Sequence, residues 1–227
     1  KLDMAGRIET IRIDASTTLE AVRGADLVLF CVKSTDTDAV ARELAPRLDP
    51  HAVVLSLQNG VENAATIARA VRQTVVPAVV YVATAMGGPG VVRHFGRGDL
   101  VIGALDAGAS GEPALAGVLH DLVALFAAAG VKVTISSDVT AELWSKLLVN
   151  CAYNAISALA QAPYARLAAL PGIREVQALI VREVVALAQA EGVALDLEAS
   201  LQAVERIART MPAQYSSTAQ DVARRKP

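Results

Sequence analysis

Two strand-length apolar runs, each followed by a helical pattern, constrain the fold of this chain most. Ala25-Asp26-Leu27-Val28-Leu29-Phe30-Cys31-Val32 leads into a helical segment over 37–48. Ala52-Val53-Val54-Leu55-Ser56-Leu57 leads through the turn-like Gln58-Asn59-Gly60 into a second helical segment over 61–72. A strand that is apolar on both faces must be covered on both, and alternating helices supply that cover. Residues 74–85 and 99–104 read as further strands, with Gly87-Gly88-Pro89-Gly90 as a turn between them. An amphipathic helix over 112–129 and a last strand over 131–135 complete the pattern. The expected architecture is α/β, with a parallel sheet covered by helices.

The pattern then changes. From Val139 onward only helical segments are visible, over 139–161, 172–191 and 197–209, with a fourth starting near Ser217. Pro163 and Pro171 separate the first from the second. The sequence therefore divides near Ser136-Ser137-Asp138 into an α/β domain, 1–137, and an all-α domain, 138–227.

Composition narrows the class of function. Of 227 residues, 53% are hydrophobic, which is ample for a core. A net charge of −2 offers no electrostatic case for nucleic acid or an anionic membrane surface. The best apolar run, 75–86, is well short of the ~20 residues a bilayer needs, and no secretory signal opens the chain. Cys31 and Cys151 lie in apolar runs and read as buried free thiols in a reducing, cytoplasmic compartment, with a disulfide left open. His51, His94 and His120 are scattered without metal-ligand spacing, so no metal is expected.

Chemistry concentrates on the helix over 139–161. Lys146, Asn150 and Asn154 recur every four residues and leave one face of it, since successive residues turn by about 100°. Ser157 and Gln161 fall in the same sector. Leu143, Trp144, Leu147, Leu148, Val149, Cys151, Ile156 and Leu159 occupy the rest, so the helix should be buried. A single buried lysine with one amide is ordinarily satisfied by nearby backbone and by snorkelling. Three such residues in register point instead to a wet cleft or a ligand, because an ammonium and two amides are costly to bury without partners.

Three further positions stand where ligands bind. Lys33 follows the run 27–32 and Asn59-Gly60 follows 53–57, both beyond strand carboxyl ends, where open α/β sheets bind ligands. Either alone would be an ordinary loop residue or turn; together they should face one crevice. Ser217-Thr218-Ala219-Gln220 has capping-box spacing and marks a helix start, whose free N–H groups suit a carboxylate. Arg224-Arg225-Lys226 reads as a solvated helix face.

These motifs, in this order, resemble the 2-dehydropantoate 2-reductase (ketopantoate reductase) family. The resemblance is carried by Cys31-Val32-Lys33, Leu57-Gln58-Asn59-Gly60-Val61, the stretch 141–150 with its Lys146, then Asn154, and Ser216-Ser217-Thr218-Ala219-Gln220-Asp221. It implies a Rossmann-like NADP-binding domain followed by an all-α substrate and catalytic domain. It also implies that Lys146 is the general acid, that Asn150, Asn154 and Ser217 bind substrate, and that Lys33 and Asn59 line the NADP(H) site. The family's Gly-x-Gly-x-x-Gly loop and its acidic residue after the paired serines are absent from the 227 residues. The first domain is therefore expected to be incomplete at its N-terminal part and the second truncated at its C-terminus. Where the family often has another asparagine near Pro163, this chain has Tyr164.

The activity so implied is NADPH-dependent reduction of ketopantoate to pantoate in pantothenate and coenzyme A biosynthesis. Alternatives are a related 2-keto acid reductase and a non-catalytic NADP(H)-binding regulator. The partner is a small keto acid, not nucleic acid or membrane, and a homodimer is an assembly open to the chain.

Overall fold

The computed structural model describes residues 1–4, 7–105 and 113–225. It divides into two compact units, Lys1–Val139 and Thr140–Pro227.

The first unit is built on a seven-stranded sheet. Strands β1 (Leu2–Met4), β2 (Arg7–Glu9), β3 (Leu27–Phe30), β4 (Val53–Ser56), β5 (Thr74–Gly88) and β6 (Val91–Ile102) lie in the order β2-β1-β6-β5-β4-β3, and β7 (Val133–Ile135) pairs with β6. Helices α1 (Thr37–Leu44), α2 (Asn63–Ala70) and α3 (Pro113–Ala128) connect them. Strands β3, β4 and β5 run parallel, as the two-faced apolar runs require. Along β4 the side chains alternate between two cores. Val54 packs with Phe30, Ala41, Leu44 and Ile67 under α1 and α2, while Leu55 packs with Val76, Ile102, Leu119 and Leu122 under α3. Both Val54 and Leu55 are fully buried.

The sheet is mixed rather than parallel throughout. β5 and β6 form an antiparallel hairpin over most of their length, with Gly90 (φ 67°) in its turn. A short Pro-Gly turn forces the chain straight back, whereas a parallel return needs a crossover of a dozen or more residues. β6 then pairs parallel with β7 and with β1. The strands β1 and β2 are too short and too polar to have shown a period-2 pattern. The helix expected from Glu112 begins at Pro113 among the described residues, Glu112 itself lying outside them.

The second unit is helical: α4 (Val139–Ala160, whose first residue closes the first unit), α5 (Tyr164–Ala168), α6 (Pro171–Ala190), α7 (Leu197–Thr210) and α8 (Ser217–Ala223). The one-turn α5 is too short to carry a visible period. Pro171 opens α6 in its first turn, where a missing N–H costs nothing. Two buried polar contacts tie α4 to its neighbours. The Tyr153 hydroxyl donates to the Val204 carbonyl of α7 (2.8 Å), and the Gln177 amide of α6 donates to the Ala152 carbonyl (3.1 Å). Tyr153 also stacks at a tilt against Tyr164, 4.4 Å between ring centroids. Tyr164 thus packs against a core ring on α4, and burial pushes its phenol up to about 12.

The cysteines are free, as expected, but they are not buried: Cys31 is exposed and Cys151 half-buried. Cys31 follows an edge strand, whose outer side has no neighbour among the described residues.

Candidate active site

In the first unit the structure brings the two loops of interest together. Leu57 donates its N–H to the Phe30 carbonyl (3.0 Å), so the chain leaves β3 and β4 side by side. Beyond that point Ser34 Oγ donates to the Asn59 carbonyl (3.0 Å). Lys33 and Asn59 are both exposed at this carboxyl end. Beneath them runs a chain of hydrogen bonds. Gln58 Nε2 donates to the Val32 carbonyl (2.9 Å) and to Thr37 Oγ1 (2.8 Å). Thr37 Oγ1 donates to Asn63 Oδ1 (3.1 Å), and Asn63 Nδ2 donates to the Asn59 carbonyl (2.7 Å). Gln58, Thr37 and Asn63 are all buried.

Gly60 (φ 115°) is needed for this closure, because a Cβ there would lie 2.9 Å from Asn63 Nδ2. The two loops form a rim with fixed backbone and exposed polar tips, which suits an extended polar cofactor. Sequence reasoning took Asn59 and missed its supports. Thr37 and Asn63 each open a helical stretch, where such residues are common for local reasons.

In the second unit, Lys146, Asn150 and Asn154 lie along one face of α4, each partly buried. Burial pulls the Lys146 ammonium down to about 8 from its ordinary 10.5. The side-chain amides of Asn150 and Asn154 make no hydrogen bond among the described residues. The polar sector does not continue as one stripe. Ser157 is fully buried, donating to the Ala162 carbonyl (3.0 Å) and accepting from the Ser216 N–H (3.2 Å). Gln161 donates to the Ala158 carbonyl (2.7 Å) and to Ala219 of α8 (3.4 Å). These two residues hold the start of α8 against α4.

The same contacts correct the reading of α8. The cap is Ser216, not Ser217: buried Ser216 Oγ accepts from the Ala219 N–H (3.0 Å) and donates to the Asn154 carbonyl (3.3 Å). Ser217 is the first helical residue and is exposed. Paired serines offer two registers for a cap, and only tertiary anchoring of Ser216 to Asn154 selects one. The Ser217 hydroxyl is consequently free of the capping role, one residue on from the Ser216 that bonds to the Asn154 carbonyl. Arg224 and Arg225 are exposed, and Lys226 lies outside the described residues.

The Ser157 anchor has a measurable consequence. Ser157→Ala leaves the buried Ser216 N–H without its acceptor. A loss of about 1–3 kcal/mol is expected by denaturant unfolding. An unchanged unfolding midpoint would show that the segment does not depend on this bond.

Among the described residues no group of three or more His, Cys, Asp or Glu is placed to hold a metal ion, and no helix is long and apolar enough to cross a membrane.

Comparison with known proteins accords with this arrangement. Residues 2–107 match the family model described as ketopantoate reductase PanE/ApbA, and residues 138–227 match that described as its C-terminal part. The chain is 35% identical over 219 residues to a 2-dehydropantoate 2-reductase of Halobacterium salinarum, covering 96% of this chain and 70% of that protein. It is 30% identical to the enzyme of the same name from Vibrio cholerae, covering 92% and 68%. A crystal structure of a PanE/ApbA family ketopantoate reductase from Ralstonia eutropha superposes with a TM-score of 0.87 at 51% identity, covering 100% of this chain and 72% of that one. The chain belongs to the ketopantoate reductase family of NADP-dependent oxidoreductases, with a Rossmann-like first domain and a helical second one.

Proposed function

We propose that the protein reduces 2-dehydropantoate to pantoate with NADPH, a step of pantothenate and coenzyme A biosynthesis, in the cytoplasm. The observation that carries this reading is Lys146, a partly buried ammonium held at about 8 and in helical register with two asparagine amides. NADPH, when bound, supplies the hydride. The role of the protein is then to orient the keto acid and to manage one proton.

Reduction of a ketone builds negative charge on its oxygen. Lys146 stabilises that charge and transfers its proton to the oxygen, becoming a neutral amine. A pKa near 8 makes it a better donor than an ordinary lysine while leaving it mostly protonated at neutral pH. The Asn150 and Asn154 amides offer donors and acceptors to the substrate's oxygens. The Ser217 hydroxyl binds its carboxylate. Lys33 and Asn59, on their braced rim, line the NADP(H) site. The rim fits the role because the Asn59 carbonyl is held from two sides, by Ser34 and by Asn63, while the Lys33 and Asn59 side chains lie exposed above it.

The test is a panel of branched 2-keto acids with the protein as encoded, followed by NADPH oxidation. Ketopantoate is expected to give a kcat/KM about tenfold or more above analogues lacking its hydroxyl, as sites that hydrogen-bond a substrate hydroxyl do. Preference for another keto acid would make the protein a related reductase. Tight NADPH binding with no turnover on any acid would make it a regulator.

A further inference from the structure

Resting on the reading of Lys33 and Asn59 as the cofactor-side residues, we propose that Thr37 is a positioning residue for NADP(H) binding, its buried hydroxyl coupling the loop after β3 to the loop after β4.

The hydroxyl is used in both directions. It accepts from Gln58 Nε2 (2.8 Å) and donates to Asn63 Oδ1 (3.1 Å). Each of those amides then grips a loop. Gln58 spends its second N–H on the Val32 carbonyl, directly before Lys33 (2.9 Å). Asn63 spends an N–H on the Asn59 carbonyl (2.7 Å). The Asn59 carbonyl also accepts from Ser34 Oγ (3.0 Å), so both its lone pairs are engaged, one from each loop. The peptide of Asn59 and the entry to Lys33 are therefore held in one frame, and Thr37 is its only member that bonds to both amides. Thr37 is 2% exposed, so no solvent can replace the hydroxyl if it is lost.

This division of labour explains why the exposed tips can be precise. Lys33 and Asn59 sit on loops, where backbone freedom ordinarily weakens a binding geometry. A buried hydrogen-bonded network below them removes that freedom before the ligand arrives, which lowers the ordering cost of binding. The direction of the chain matters. A valine at position 37 would fill the same space but could neither accept from Gln58 nor donate to Asn63. A serine could do both.

The experiment compares NADPH dissociation constants by fluorescence titration in the protein as encoded. Thr37→Val is expected to weaken binding about tenfold, and Thr37→Ser to restore it to within about threefold of the original. Leu122→Ala, in the core under α3, is the control for general destabilisation and is expected to leave the constant unchanged. Asn59→Ala tests the underlying reading separately. If Asn59→Ala weakens binding and Thr37→Val does not, the positioning role is wrong and the cofactor reading stands. If neither weakens it, the cofactor reading fails and the positioning role with it. A loss in Thr37→Val that serine does not repair, or that Leu122→Ala reproduces, also overturns the proposal.

Discussion

Lys146→Ala is expected to lower kcat by about 10²–10⁴ while NADPH affinity stays near the original, because it removes a proton donor and not a cofactor contact. Lys146→Arg is expected to fall almost as far. It keeps the positive charge but holds its proton too tightly to give it up. The pH profile supplies a second reading of the same group. The productive form is the ammonium, and burial places its loss near pH 8. In the direction of reduction kcat/KM should therefore be flat below this value and fall above it, and that alkaline limb should be missing from Lys146→Ala. A variant keeping more than about a tenth of the original kcat at saturating substrate removes Lys146 from the role.

Ser217→Asp is expected to raise the KM for the keto acid about tenfold or more, as a carboxylate placed against a carboxylate. Stability should hold or rise slightly, for a structural reason. Ser216 makes the capping bond to Ala219, so position 217 can change without uncapping α8. An acidic residue in the first turn also favours the helix. The two readouts separate binding from folding within one variant. An equally stable variant with an unaltered KM would leave Ser217 as an ordinary surface residue.

The parts of this fold that were legible in the sequence are those governed by local repetition. The runs 27–32 and 52–55 are apolar without a break because β4 and its neighbours face α1 and α2 on one side and α3 on the other, as Val54 and Leu55 show. Lys146, Asn150 and Asn154 share a face because a helix places every fourth residue there. The prolines at 163 and 171 separate helices as their missing N–H requires. The cysteines were misread for the same reason that these succeeded. An apolar neighbourhood in sequence says what the adjacent side chains want, but Cys31 sits past the end of an edge strand, where position in the sheet leaves it exposed.

The sequence by itself determined the alternation of strands and helices, the change to an all-helical second half, the polar face of α4 and the ordered motifs that mark the family. Each depends on residues within a turn or two of one another. Tertiary structure alone decided that Ser216 rather than Ser217 caps α8, and that Ser157 and Gln161 hold that helix while the side-chain amides of Asn150 and Asn154 are left unengaged by the described residues. It alone made Thr37 the link between two loops. The bonds concerned join residues 21 apart for Gln58 and Thr37, and 59 apart for Ser216 and Ser157. A buried polar group must find a partner wherever the packed chain offers one. That partner is set by which elements meet in space, and no local pattern around a threonine or a serine records it.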